Sequence, residues 1–252
     1  MIVFGAIHLA LLLICLKFIV PKEFFQDKSI LQDIRKYLPY LLIIFGVVAL
    51  HLFEVNIVDP SVTEWVGHDF ANEIKGAEGD IVYQFSQNWI PALVYFFVIM
   101  YIAVYPFTLW FSLFYFIQTD NKKAMKTFAY GILLIYVIAL PFYLFMPITN
   151  VYTYYNVNSA LETVIPSIEN FFYSTTTQNN CLPSLHTAMT ILVAYSVSLT
   201  GNKKLTYFAY FTMISVIISV IYLSIHWITD IIAGTLLAIG AIFILRRFMQ
   251  GE

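Results

Sequence analysis

The chain has 252 residues, 60% of them hydrophobic and only 11% charged, with a mean hydropathy of +0.80. Soluble domains average about 25% charged residues, so an ordinary soluble globule is excluded and an all-α integral membrane protein is indicated, a polytopic helical bundle of about six to seven transmembrane helices. The net charge of −2 points to no partner in particular, and the only cysteines, Cys15 and Cys181, lie far apart, offering neither a disulfide framework nor a CxxC metal pattern.

Residues 2–20 form the first apolar run. No basic segment precedes it, whereas Lys17 and Lys22 follow; a cleaved signal peptide has the reverse order, so a retained transmembrane helix is expected. Residues 21–36 read as an amphipathic connector and Tyr37–Val55 as the second span. Glu54–Asp80 holds seven acids and one lysine, with Gly67, Gly76 and Gly79. It is expected to be polar and irregular, with an interfacial helix near Trp65. The third span, Trp89–Ile117, exceeds the roughly 20 residues a straight crossing needs, and Pro106 is the expected bend. A basic loop, Gln118–Lys126, leads to the fourth span, Thr127–Pro147. Ile148–Leu182 is a long loop rich in Tyr, Thr and Asn. Pro183–Thr200, Thr206–Ser224 and His226–Leu245 are the last three spans, with a tight basic turn at Gly201–Leu205 and Arg246-Arg247 closing the seventh. The chain is expected to be a single membrane domain over 1–252, with N-terminal spans and an acidic outer loop in 1–88 and a core in 89–247.

Seven spans place the two termini on opposite sides. Connectors 21–36, 118–126 and 201–205 and the C-terminus then share one side and carry eleven of the thirteen basic residues. Lys17 can snorkel to that side, and Lys75 alone is opposite. By the positive-inside rule the N-terminus is expected outside and the C-terminus in the cytoplasm. This assignment uses no motif, yet it puts Pro183–His186 and His226 together at the extracytoplasmic ends of their helices.

Cys181-Leu182-Pro183-Ser184-Leu185-His186 and His226-Trp227-Ile228-Thr229-Asp230 each set an ionisable side chain beside a long apolar run, a functional-site hypothesis by default. Pro183 suits the first position of a helix. The amides of Ser184, Leu185 and His186 would then face outward as an anion site. His226 and Asp230 are four apart, on one face of the next helix. A carboxylate so placed can hold the imidazole Nδ1–H and leave Nε2 free to react.

Pro183-Ser184-Leu185-His186 resembles the Pro-Ser-x-His motif of the type 2 phosphatidic acid phosphatase superfamily, and His226-x-x-x-Asp230 resembles the end of that family's third motif. The resemblance covers roughly residues 90–245. Leu185, where most of the family has Gly, and the neighbourhood Tyr222-Leu223-Ser224-Ile225-His226-Trp227 resemble the inositol phosphorylceramide synthase-like branch. The resemblance implies a phosphohistidine mechanism without a metal or other cofactor. In it His226 attacks phosphorus, Asp230 orients the ring, and His186 acts first as general acid and then as general base. Ser184, Leu185 and the helix-terminal amides would bind the non-bridging oxygens.

Two departures bear on the substrate. The family's first-motif lysine and arginine would fall near Pro141–Thr153, which has no basic residue, and the third-motif arginine would be Val220. A dianionic phosphomonoester would be poorly balanced there. A phosphodiester is easier to hold with neutral donors, for which Asn150, Tyr152, Tyr154, Tyr155, Gln178, Asn179 and Asn180 are available. His8 and His51 have no matching partner and read as structural, His68 as solvated, and the acids of Glu54–Asp80 as a solvated surface rather than a metal site. The three tyrosines equally suit an interfacial belt.

The expected activity is that of a lipid phosphotransferase or phosphatase moving a phosphorylated head group from a phospholipid to an alcohol or water. The alternatives are a polyprenyl-diphosphate or phosphatidate phosphatase, and a non-catalytic lipid-binding or transport protein. The expected partners are the bilayer and a phospholipid or isoprenoid-phosphate substrate, with no nucleic acid. Oligomeric state is not legible.

Overall fold

The computed structural model describes residues 2–20, 30–165 and 168–249. Among the described residues the chain is helical and carries no strand, only an isolated bridge between Ile148 and Asn180. Five helical segments are long and apolar enough to cross a membrane: 34–66, 91–118, 122–145, 203–222 and 228–249. Two apolar helices are shorter, α1 (Ile2–Phe18) and α12 (Leu185–Ser198). The protein is thus the all-α polytopic membrane bundle expected.

The second crossing is longer than its hydropathy alone suggests. α2 (Ile30–Phe53) runs through a π-helical turn at Glu54–Val58 into α3 (Asp59–Val66). The segment expected to be irregular is therefore helical, and continues as α4 (Ala71–Glu78) and α5 (Ile81–Gln87). Gly67 and Gly79, at φ 62° and 67°, end α3 and α4, supplying the left-handed geometry that glycine adopts without steric cost. The connector expected over 21–36 lies outside the described residues as far as 29, and from Ile30 onward it is already α2.

The third crossing joins α6 (Pro91–Ile99) to α7 (Tyr105–Gln118) through a π-helical turn at Met100–Val104. Pro106 lacks an N–H and its ring would meet the carbonyl four residues back. The helix widens over that stretch instead of breaking, so the distortion lies N-terminal to the proline. α8 (Lys122–Phe145) starts from Asn121, whose side chain accepts the Ala124 N–H. The loop after it contains three one-turn helices, α9 (Val151–Tyr154), α10 (Ala160–Val164) and α11 (Ile168–Phe172). α13 (Lys203–Tyr222), capped by Asn202, and α14 (Ile228–Met249) complete the chain.

The short α12 is the hub. It packs on α8, α13, α14 and α7, with Ala188, Leu192, Ala194 and Val197 wholly buried. Small residues on its neighbours permit the approach. A Cβ at Gly131 on α8 would meet Leu192 at 2.4 Å, and one at Gly234 on α14 would meet the Ser184 carbonyl oxygen at 2.4 Å. Fourteen residues rise only about 21 Å against a hydrocarbon core of about 30 Å. α12 alone is therefore too short to span the hydrocarbon core.

The two ends of the bundle differ. At one, the Asn202 amide donates to Ile19 O (2.9 Å) and to Tyr115 Oη (2.9 Å), and Lys204 Nζ donates to Phe18 O (3.0 Å). There too Lys36 pairs with Asp120, which also accepts from Tyr37 Oη (2.7 Å). The described parts of the basic connectors gather at this end. The other end holds the loops around α9–α11 and both histidine motifs.

Candidate active site

The two motifs meet at the start of α12. The helix begins at Leu185, with Ser184 as its N-cap, so Pro183 stands just outside the helix instead of at its first position. The Ser184 hydroxyl accepts the Thr187 N–H at 3.3 Å, a standard capping role. Its own N–H donates to the Asp230 carbonyl at 3.0 Å, tying α12 to α14. Ser184 is fully buried and does not line the cavity described below; its hydroxyl serves the fold. Of the three amides expected to face an anion, Ser184's is committed to Asp230. Those of Leu185 and His186 remain as helix-start donors without an intrahelical acceptor. Pro183 O accepts from Tyr143 Oη at 2.6 Å.

His226 is not on the helix face expected for it. α14 starts at Ile228, and His226 sits in the preceding bend, which Ser224 opens with φ 56°. Position 220 is a valine whose carbonyl accepts the N–H of both Ile225 and His226, each at 3.0 Å. Asp230 nevertheless reaches back. Its Oδ2 accepts from Trp227 N at 2.9 Å and lies 3.2 Å from His226 Nδ1. The carboxylate is thus an N3 residue satisfying the N-cap amide, as in the acidic half of a capping box, and orients the imidazole at the same time. With Nδ1–H donated to the carboxylate, Nε2 carries the lone pair.

The two rings face each other. The His186 and His226 centroids are 6.0 Å apart and tilted by 57°. Both rings line one cavity, so a single bound group can meet the two imidazoles at once. Tyr101 Oη, on the π turn of the third crossing, is 3.1 Å from His186 Nε2. The Tyr101 ring packs against the same imidazole at 4.8 Å and the Phe172 ring at 6.2 Å, and the two aromatic rings lie 5.6 Å from each other. Both histidines open onto a cavity of about 300 Å³. Among the described residues no lysine or arginine lines it; the groups there able to carry positive charge are His51, His186 and His226.

The other expected donors separate. Leu185, Asn150 and Asn180 line the cavity. Asn150 caps Thr153 with Oδ1 (2.8 Å) and reaches Tyr173 Oη with Nδ2 (3.2 Å). Asn180 Nδ2 donates to Glu54 Oε1 at 3.1 Å, while its Oδ1 has no partner. Tyr154 is elsewhere: its hydroxyl donates to Asn72 Oδ1 (2.6 Å) and its ring packs on Trp227. Asn179 Nδ2 donates to Thr63 Oγ1 at 3.0 Å, and Tyr155 Oη donates to Asp80.

Three side chains combine in a way the spacing does not reveal. Ligand atoms of Cys181, His226 and Asp230 lie within 4.8 Å of one another, although the sequence offers no metal-ligand cluster. Asp230 Oδ1 has no hydrogen-bond partner, but the rest of the set suits a metal poorly. Asp230 Oδ2 already takes two N–H groups, and burial followed by the Asp230 charge pushes the Cys181 thiol far above its usual range, against the thiolate a metal would need.

The acidic outer segment also departs from its expected role. Glu78 accepts the N–H of Ile228 (2.9 Å) and of Thr229, closing the N-terminus of α14 next to the site. Glu54 and Asp59 are buried. Trp227 is buried, with Nε1 donating to Thr149 O at 2.9 Å. Tyr101, Glu54, Glu78 and His51 give no local sequence signal, since each acts across more than one element.

The arrangement defines a polytopic membrane protein with paired histidines, one of them oriented by a carboxylate, suited to nucleophilic and acid–base chemistry. A family model described as the PAP2 superfamily matches residues 82–244, and the chain belongs to that superfamily, which supports a phosphatase- or phosphotransferase-type function. The matched stretch contains Tyr101, His186, His226 and Asp230; it does not reach His51 or Glu54. No curated protein and no solved structure matches the chain.

Proposed function

We propose that the protein is a lipid phosphotransferase working through a phosphohistidine at His226. The observation that carries this reading is the facing pair: His186 and His226 at 6.0 Å, with Nδ1 of His226 held by Asp230. His226 Nε2 attacks phosphorus, and the bond from phosphorus to the lipid oxygen breaks as His186 gives that oxygen a proton. An alcohol or water then surrenders its proton to His186 and attacks phosphorus, and the P–N bond breaks. Tyr101 Oη, at 3.1 Å, holds the His186 ring for both transfers.

A phosphodiester donor is favoured because, among the described residues, no lysine or arginine lines the cavity and a second negative charge there would be unmatched. Leu185 and the Tyr222–Trp227 neighbourhood lean toward the inositol phosphorylceramide synthase-like branch. The described basic connectors gather at the end of the bundle away from the histidines, which supports a site on the extracytoplasmic side.

The test uses purified protein in detergent with phosphatidylinositol-like diesters, phosphatidate and undecaprenyl diphosphate, each with and without an alcohol acceptor, beside His186→Ala and His226→Ala. Head-group transfer lost in both variants is the expected result. Phosphate release lost in both would make it a phosphatase, and full activity in both would refute the site.

A further inference from the structure

His51 reads from sequence as a structural residue on an apolar helix. In the fold its ring lines the same cavity as His186 and His226. Its Nδ1 is buried, has no hydrogen-bond partner, and lies 3.5 Å from Glu54 Oε2. Glu54 stands on the π-helical turn of the second crossing, only 2% exposed. Tyr136 Oη approaches Glu54 Oε2 at 3.4 Å and Asn180 Nδ2 approaches Oε1 at 3.1 Å. The His51 ring stands edge-on to Tyr136 at 5.6 Å.

A carboxylate at this depth is costly unless it faces a cation or a functional partner. The two hydrogen bonds only partly satisfy it, and His51 is the adjacent group able to take a positive charge. The reaction has the complementary need. Of the three imidazoles on the cavity, His226 must keep Nε2 unprotonated to attack and His186 must pass a proton back and forth. His51 alone has no task in the chemistry.

We infer that Glu54 and His51 form an anion-binding dyad. The carboxylate stands behind Nδ1, and the protonated ring directs its Nε2–H at a non-bridging oxygen of the substrate phosphate. The inference rests on the phosphotransfer reading and names what stands in for the cations this cavity lacks. The dyad is neutral as a unit. It presents an oriented, charge-assisted donor without adding net charge, which suits a monoanionic diester and leaves the second charge of a monoester unmatched.

The test compares wild type with His51→Ala, His51→Gln, His51→Lys and Glu54→Gln in a phosphate-free detergent. Two quantities are read: KM and kcat for the diester substrate, and the Kd of dimethyl phosphate measured by titration in a turnover-dead His226→Ala background. Loss of a hydrogen bond to a charged group corresponds to about 10- to 100-fold. His51→Ala and His51→Gln are expected to raise KM and Kd by that factor with kcat within about threefold. His51→Lys should recover most of the affinity, and Glu54→Gln should shift it in the same direction as His51→Gln. Unchanged KM and Kd in His51→Ala and His51→Gln, or a fall in kcat alone, would overturn the dyad while leaving the phosphotransfer reading intact. A wild-type protein that neither turns over a diester nor binds dimethyl phosphate would sink both.

Discussion

Gly234 offers a test of how tightly the two motifs are coupled. It lies one turn beyond Asp230 on α14, where that helix crosses the start of α12. An added Cβ would stand 2.4 Å from the Ser184 carbonyl oxygen and 3.2 Å from Thr187 Cβ. The oxygen belongs to backbone that caps α12, so it cannot rotate away like a side chain. Ordinary contact therefore requires α14 to move by close to 1 Å, carrying Asp230 and the His226 bend away from His186. A misplacement on that scale costs roughly 10²-fold in rate. The effect on stability is smaller: overpacking costs about 1–3 kcal/mol, offset by about 1 kcal/mol of helix propensity. Gly234→Ala is therefore expected to fold, to melt within a few degrees of wild type in detergent, and to lose about 10²-fold in kcat. Gly240, on the same helix, has nothing within 4 Å of its virtual Cβ. Gly240→Ala is the matched control, expected to keep full activity. Equal activity for the two variants would refute the claim that this crossing sets the distance between the histidines.

Other consequences follow from single contacts. Asp230→Asn removes the anionic acceptor of His226 Nδ1 and is expected to lower kcat by roughly 10²–10⁴-fold, measured with the same lipid assay. Tyr101→Phe deletes the hydroxyl at His186 Nε2; a net bond of about 0.5–1.5 kcal/mol gives a several-fold loss in kcat with KM unchanged. Glu78→Ala uncaps two α14 amides and should lower stability by about 0.5–2 kcal/mol, read by thermal unfolding. Burial raises the Cys181 thiol well above its ordinary value, so the folded state holds that proton more tightly than the unfolded chain does. The contribution is fully present below the ordinary thiol value of about 8.5 and is lost as pH climbs from there toward the raised value. Native protein at pH 7–8 should resist alkylation at Cys181, and Cys181→Ser should flatten the alkaline fall in stability.

The membrane crossings were legible because hydropathy over a long window reports burial in lipid without knowledge of neighbours. Pro183–His186 and His226–Asp230 were legible because proline, serine, histidine and aspartate are out of place beside apolar helices. What those residues touch was less so. The Ser184 hydroxyl, read from sequence as a substrate ligand, also caps α12. Pro183 falls outside the helix, and His226 lies in the bend before α14, reached by Asp230 turning back. Each difference is a shift of one or two residues in a helix boundary, which local propensity does not resolve. The acidic segment looked irregular because its charges and glycines resemble a solvated loop. In the fold, Glu54, Asp59 and Glu78 find partners far along the chain, at Asn180, Asn179 and the start of α14. His51 was set aside for the same reason: its partner Glu54 lay in a segment assigned to solvent.

The most direct test of the account is to look for the covalent intermediate. Wild type without an acceptor, and His186→Ala beside it, are mixed with a diester lipid donor, rapidly quenched under alkaline conditions that preserve phosphohistidine, and digested for mass spectrometry. The account predicts a head-group phosphoryl adduct on the peptide bearing His226, absent from His226→Ala. An active wild-type enzyme with the adduct on another residue, or with no adduct in rapid-quench samples of wild type and His186→Ala alike, would contradict it.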